Sequence, residues 1–301
     1  MQSETDKKYM RRALSLARLG AGHVSPNPMV GAVITAPDGR IIGEGYHRKY
    51  GEGHAEVNAM NSVSPADQNL ISESTIYVTL EPCSHYGKTP PCAEMLCKKG
   101  IKRCVIGTGD PNPKVSGRGV RMMLEAGIEV TENVLEEECR ALNERFFTAQ
   151  IKKRPWILLK WAETPSGEMW GDNKRPVEIS SPVTKVLMHR ERSLCDGILV
   201  GTDTIINDNP TLTARLWPGK SPRPVIFDSP RLADESIRAK YEIFQRNPII
   251  LDPHLPLAEN IHILFSNHGI TSLMVEGGRK MLDSFLEAGL YDRIRVERKE
   301  I

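Results

Sequence analysis

Short apolar runs alternate with amphipathic stretches along this 301-residue chain. Met10, Ala13, Leu14 and Ala17 recur at i, i+3, i+4 and i+7, one apolar stripe on an opening helix that should end near Gly20. From Ser25 the run S-P-N-P-M-V-G-A-V-I-T turns through two prolines into a β-rich segment. Pro37-Asp38-Gly39 then reverses the chain into I-I-G-E-G-Y, which predicts a hairpin with Asn27 at its mouth. A helix-compatible run starts at His54. The run S-T-I-Y-V-T-L from Ser74 reads as a buried strand stopped by Glu81-Pro82. Pro90 and Pro91 precede C-A-E-M-L-C-K-K-G, which puts Cys92 in the first turn of another helix. A strand R-C-V-I-G from Arg103, a helix from Val120 to Ala126, a strand from Ile128 and an acidic helix from about Leu135 to Gln150 complete the first half.

The basic, proline-ended stretch Ile151 to Pro155 marks a boundary, so two domains are expected, 1–150 and 151–301. Beyond it W-I-L-L-K-W-A reads as a strand, and Ser181 caps a helix with Pro182 at its first position. Strand-like runs follow at D-G-I-L-V-G, R-P-V-I-F-D, N-P-I-I-L, I-H-I-L-F from Ile261 and T-S-L-M-V-E. A helix from Gly278 and a strand from Asp292 close the chain. Alternating helices and strands of this kind predict the α/β class in both halves.

Charge changes this picture little: 40 basic residues against 38 acidic ones give no field that would favour nucleic acid or a membrane surface. No apolar run approaches the ~20 residues of a spanning helix, so a cytoplasmic protein acting on a small molecule is expected, with neither nucleic acid nor membrane as partner. A homo-oligomer is the expected assembly. Without a secretion signal, the six cysteines read as ligands or packing residues. Cys97, Cys104, Cys139 and Cys195 are assigned to packing.

The chemistry concentrates between His54 and Cys92. H-A-E from His54, Cys83 past a strand end and Cys92 at a helix start offer one imidazole, two thiols and a glutamate that is not needed as a ligand. Three ligands leave a tetrahedral zinc one open position for water, whereas structural sites usually close with four. His54, Cys83 and Cys92 are therefore expected to hold Zn²⁺, with Glu56 carrying protons from water to ring nitrogen and leaving amine. Nucleobase deaminases show H-x-E and P-C-x-x-C. Here the two cysteines are separated by eight residues, and the insert carries His85 and Lys88 to the metal's edge.

That insert, S-H-Y-G-K-T-P-P between the cysteines, together with S-P-N-P-M-V-G-A-V upstream and G-D-P-N-P-K-V-S-G-R-G from Gly109, resembles the bifunctional deaminase/reductase family of riboflavin biosynthesis. The resemblance implies a cytidine-deaminase-like three-layer α/β/α domain. That domain would deaminate 2,5-diamino-6-ribosylamino-4(3H)-pyrimidinone 5′-phosphate, with substrate roles for Asn27, His85, Lys88, Asp110 and Asn112. For the second half, where no dinucleotide fingerprint G-x-G-x-x-G is found, L-V-G-T-D-T-I-I-N-D-N-P-T-L-T-A-R and V-E-G-G are similar to the family's reductase domain. This implies a dihydrofolate-reductase-like fold that uses NADPH to reduce the ribosyl to a ribityl chain. On the same resemblance Thr204 and Asp208 would serve the cofactor, and Arg192, Leu212, Arg215 and Glu276 the substrate. Two departures stand out: T-P-S-G from Thr164, with Ser166 where the family pattern implies aspartate, and an early end after R-I-R-V-E. They leave a competing expectation, a deaminase-only protein whose shortened second domain is inactive or regulatory.

Overall fold

A computed structural model describes residues 3–86, 90–112, 116–164, 167, 169 and 181–298. The chain divides into two compact units, Met1–Ile151 and Lys152–Ile301.

In the first unit, helix α1 (Glu4–Ala17) precedes the hairpin β1 (Gly31–Thr35) and β2 (Ile41–Tyr46). There follow α2 (Ala55–Asn61), β3 (Thr75–Val78), α3 (Cys92–Lys99), β4 (Arg103–Ile106), α4 (Arg118–Glu125), β5 (Glu129–Thr131), α5 (Glu136–Leu142) and α6 (Glu144–Lys152). The sheet order is β2-β1-β3-β4-β5. β1 is antiparallel to β2 and β3, and β3, β4 and β5 run parallel. The period of two is visible in the packing. Ile34, Ile76, Val78, Cys104 and Ile106 face one core with Ala55 and Ala59 of α2 and Leu96 of α3. Val33, Tyr77 and Val105, their chain neighbours, face the other with Met10, Ala13 and Leu14 of α1 and Cys139 of α5. The result is three layers. Gly43 and Gly45 matter to the site, because a Cβ there would lie 2.6 Å from the Ala59 carbonyl and 2.3 Å from the Ala59 nitrogen. Their bareness lets α2 lie against the sheet.

The second unit contains β6 (Trp156–Glu163), α7 (Pro182–Ser193), β7 (Gly197–Leu199), α8 (Thr202–Asp208), β8 (Arg223–Phe227), α9 (Glu235–Arg238) and β9 (Ile249–Leu251). It ends with α10 (Leu257–Ser266), β10 (Ser272–Val275), α11 (Arg279–Glu287) and β11 (Arg293–Arg298). The six strands form a parallel sheet in the order β11-β6-β10-β7-β8-β9. Ile157, Leu159, Leu273 and Val275 pack with α10 and α11, while Trp156, Leu158 and Met274 pack with Met188 and Ile205 of α7 and α8. Buried on both faces, these strands read as continuous apolar runs.

Two expectations are corrected. The I-H-I-L-F run from Ile261 is not a strand but part of α10: Ile261 and Leu264 are buried, Leu257 packs beside them, and this i, i+4, i+7 set is one helical face. The acidic helix from Leu135 to Gln150 is broken into α5 and α6 at Asn143, whose buried side chain is taken by another loop instead of facing solvent. Ser166 and its neighbour Pro165 lie outside the described residues.

Candidate active sites

α2 opens at His54, its N-cap, and puts Glu56 in the first turn, where the side chain is 3 % exposed. Cys83 follows the end of β3, and Cys92 is the first residue of α3. The backbone ties the two cysteine segments together: Ala93 N donates to Cys83 O at 3.1 Å and Cys92 N to Cys83 Sγ at 3.3 Å. His54 Nδ1 is 3.6 Å from Cys83 Sγ and 3.4 Å from Cys92 Sγ, and all three ligand atoms lie within 4.8 Å of one another. The N-to-S edge of a tetrahedral zinc site is roughly 3.6 Å, from Zn–N and Zn–S lengths of about 2.0–2.1 and 2.3 Å. The donor set therefore fits zinc in chemistry and spacing.

The protonation pattern agrees. Hydrogen bonding from Cys92 lowers the Cys83 thiol pKa, and the same contact raises that of Cys92. The hydrogen bond to Cys83 pushes His54 up to about 9. Burial first, and the Cys83 thiolate second, push Glu56 up to about 7, which suits a group that must both take and give a proton near neutrality.

The expected substrate residues surround this centre unevenly. Asp110 follows β4. Burial pushes it up to about 6, with Glu81 and Cys83 adding repulsion and His85 attraction, so it lies within electrostatic reach of the centre. Its carboxylate accepts from Asn112 N at 2.8 Å, an Asx turn that shapes the loop. His85 is exposed on the cysteine insert, and Lys88 lies outside the described residues. Asn27 reaches the centre through a residue that the sequence did not single out. His47 is 2 % exposed, with Nδ1 3.1 Å from Gly53 O and Nε2 3.3 Å from Asn27 Nδ2. Since Gly53 O only accepts, Nδ1 carries the proton and Nε2 receives the Asn27 amide. The His47 ring stands edge-on to His54, centroids 5.4 Å apart.

Two more buried side chains were missed because each looked like ordinary punctuation. Asn143 grips Met29 at both ends, accepting from its N–H and donating to its carbonyl, each at 2.8 Å, and so fixes the loop carrying Asn27. Glu81, 4 % exposed, accepts from the backbone N–H groups of Asp110, Gly117, Gly119 and Val120 at 3.4, 3.0, 3.1 and 3.4 Å. No side-chain pattern in the sequence announces a carboxylate whose partners are all backbone.

In the second unit a cavity of about 410 Å³ is lined by Arg192, Asp208, Asn209, Pro210, Thr211, Leu212, Thr213 and Arg215. Arg192 is engaged. Its Nε and one terminal nitrogen bond the two Glu276 oxygens at 2.9 and 2.7 Å, and the other terminal nitrogen donates to Thr213 O at 3.2 Å. Burial opposes the charge on Glu276, yet the Arg192 fork holds its carboxyl below the usual range. Arg215 donates to Thr211 Oγ1 at 3.2 Å. Thr204 sits one turn before Asp208 on α8 and is not part of the cavity wall. Glycine turns end the neighbouring strands β7 and β10. A Cβ on Gly201 would meet nothing within 4 Å, whereas one on Gly277 would stand 2.6 Å from Met281 Cβ, so Gly277 lets α11 pack close against the turn. The open backbone at Gly201, just past the end of a parallel strand, fits the approach of a phosphate group of a dinucleotide such as NADPH.

Residues 3–108 match the family model for the cytidine and deoxycytidylate deaminase zinc-binding region, and residues 155–297 match the RibD C-terminal domain. The riboflavin biosynthesis protein RibD of Aquifex aeolicus is 41 % identical, the match covering 98 % of this chain and 87 % of that protein. RibD of Escherichia coli is 33 % identical over 97 % of this chain and 86 % of its own length. Among solved structures, the diaminohydroxyphosphoribosylaminopyrimidine deaminase/5-amino-6-(5-phosphoribosylamino)uracil reductase of Thermotoga maritima superposes with a TM-score of 0.88. It is 37 % identical, covering 99 % of this chain and 87 % of that one. Acinetobacter baumannii RibD gives 0.85 at 31 % identity, over 99 % and 88 %. With a His/Cys/Cys centre in its first unit and relatives of this similarity along nearly its whole length, the chain belongs to the RibD family of riboflavin biosynthesis proteins, a zinc-binding deaminase domain followed by a reductase domain.

Proposed function

We propose that the first unit hydrolyses the ring amine of 2,5-diamino-6-ribosylamino-4(3H)-pyrimidinone 5′-phosphate, releasing ammonia, and that the second reduces the ribosyl of the product to a ribityl chain with NADPH. The observation that carries this reading is the placement of buried Glu56 two residues from His54, at the centre formed with Cys83 and Cys92. Zinc held by these three would supply a coordinated water with a pKa near 7 in place of about 15.7. Glu56 takes one proton from the attacking water and passes it to the ring nitrogen, then takes a second from the hydroxyl now on the ring carbon and passes it to the amine, so that ammonia leaves neutral as the carbonyl forms. Asn27, oriented by His47, and Asp110 and Asn112 on the loop after β4 would bind the pyrimidine and its ribose. His85 and Lys88 would approach the phosphate from the insert.

In the second unit NADPH would supply the hydride, with a phosphate approaching the open backbone at Gly201. Asp208, and Thr204 one turn behind it, would serve the cofactor. Leu212 and Arg215 would face the substrate, the planar guanidinium of Arg215 being suited to phosphate oxygens. Arg192 and Glu276 would act as one unit, since each neutralises the other.

None of the described helices is long and apolar enough to cross a membrane. We read the protein as cytoplasmic and homo-oligomeric. Val183, Leu187, Leu216 and Trp217, all exposed in the second unit, offer apolar surface that a second copy would cover.

The test follows ammonia release and NADPH oxidation separately on the zinc-loaded chain. Both signals are expected. Absence of ammonia would reject the deaminase, and ammonia without NADPH oxidation would reject the reductase.

A further inference from the structure

The segments that follow the paired strands β3 and β4 are joined by Glu81, which the chemistry of deamination does not itself require. Its two carboxylate oxygens have about four acceptor sites, and four backbone N–H groups fill them. Oε2 takes Asp110 N and Gly117 N, and Oε1 takes Gly119 N and Val120 N. Asp110 opens the substrate loop and Gly117 precedes α4. Gly119 and Val120 lie in the first turn of α4, where N–H groups have no partner within the helix. Glu81 is also tied to the segment just past β4, its own N–H donating to Thr108 O at 2.9 Å. The contact is close throughout: a Cβ on Gly119 would stand 2.2 Å from Pro82 O. One carboxylate therefore joins the segment that delivers Cys83, two residues on, to the loop that presents Asp110 and Asn112.

We propose that Glu81 is a positioning residue for deamination: it sets the distance and angle between the metal-ligand segment and the substrate loop by accepting all four amides at once. Glutamate is needed there for a physical reason. Glutamine, of equal size, has a single oxygen and would turn an N–H₂ toward two N–H donors. Aspartate keeps both oxygens but is one methylene too short to reach all four. The proposal rests on the reading that Asp110 and Asn112 touch the substrate.

The test compares wild type, Glu81→Gln and Glu81→Asp, each prepared with the same zinc supplement, for zinc content, ammonia-release kinetics and amide hydrogen exchange. For Glu81→Gln we expect zinc at one per chain, kcat changed by less than about threefold and KM raised about tenfold or more, as befits the loss of two charge-assisted hydrogen bonds. Glu81→Asp should fall between the two. Exchange at Asp110, Gly117, Gly119 and Val120 should quicken in Glu81→Gln while that of α3 stays as in wild type. Combining Glu81→Gln with Asp110→Asn should raise KM by less than the product of the single effects, because both act on one loop. An unchanged KM overturns the proposal. Parallel loss of zinc and kcat also overturns it, since Glu81 would then serve only the metal segment. If Glu81→Gln does not fold, Glu81→Asp decides by the same readouts. If wild type releases no ammonia, the functional reading fails, and the exchange pattern alone decides whether Glu81 holds the loop.

Discussion

The two units solve a similar problem with different materials. Each places its candidate site where parallel strands end and helices begin, yet the first gathers metal-ligating side chains, whereas the second presents a cavity, a buried ion pair and the open backbone of Gly201. His54, Cys83 and Cys92 must bring three particular atoms within 4.8 Å, and only a few residue types can do so. A hydride carrier brings its own reacting atom, so the protein needs to supply a cradle and a charge balance. The open backbone at Gly201 and the Arg192–Glu276 pair are suited to such a part. Sites built from donor atoms leave a motif; sites built for a carrier leave a shape.

Zinc removal should separate the two units most sharply. A chelator that strips the metal is expected to abolish ammonia release while NADPH oxidation continues on already deaminated substrate; loss of both together would show that the sites are not independent. Glu56→Gln should come next. Ammonia release should fall by about 10²- to 10⁴-fold, the usual worth of a general acid–base group, with zinc still bound by metal analysis. Turnover at the wild-type rate would remove Glu56 from the proton path.

In the second unit, Glu276→Ala leaves the Arg192 guanidinium buried without its partner. The expected cost is about 3–5 kcal/mol of stability in that unit, read by denaturant unfolding, with ammonia release unchanged. A loss below about 1 kcal/mol would mean that the ion pair is not structural. Asn143→Ala tests the quieter clamp. Both Met29 backbone groups lose their partner, which should cost about 1–3 kcal/mol and raise the deaminase KM; an unchanged KM would disconnect Asn143 from the Asn27 loop.

The smallest effect concerns pH. Asp110 is raised to about 6, so it is protonated below that value and charged above it. If its carboxylate must accept from the substrate, deaminase kcat/KM falls as pH drops through about 6. The loss by pH 6 is about half of the fully ionised rate. Asp110→Asn should flatten that limb, and an identical profile would exclude Asp110 from it.

Much of this architecture could be read from residue order. The stripe of Met10, Ala13, Leu14 and Ala17 is α1, with all four residues buried, and Ser181-Pro182 starts α7 with the expected cap. The misreadings share one cause. In I-H-I-L-F the β-branched residues outweighed a helical period that becomes clear only when Leu257 is included. Around Asn143 an unbroken acidic pattern hid a side chain committed to Met29, 114 residues away in the chain.

The candidate zinc ligands, the proposed proton carrier and the alternation of strands and helices follow from composition and spacing, because metal chemistry and hydrophobic periodicity are local constraints on residue type. The roles of His47, Glu81 and Asn143, the commitment of Arg192 to Glu276 and the exclusion of Thr204 from the cavity wall depend on folding. Each of these partnerships joins distant segments, mostly through backbone N–H and C=O groups that every residue carries, and such groups leave no mark in the order of amino acids.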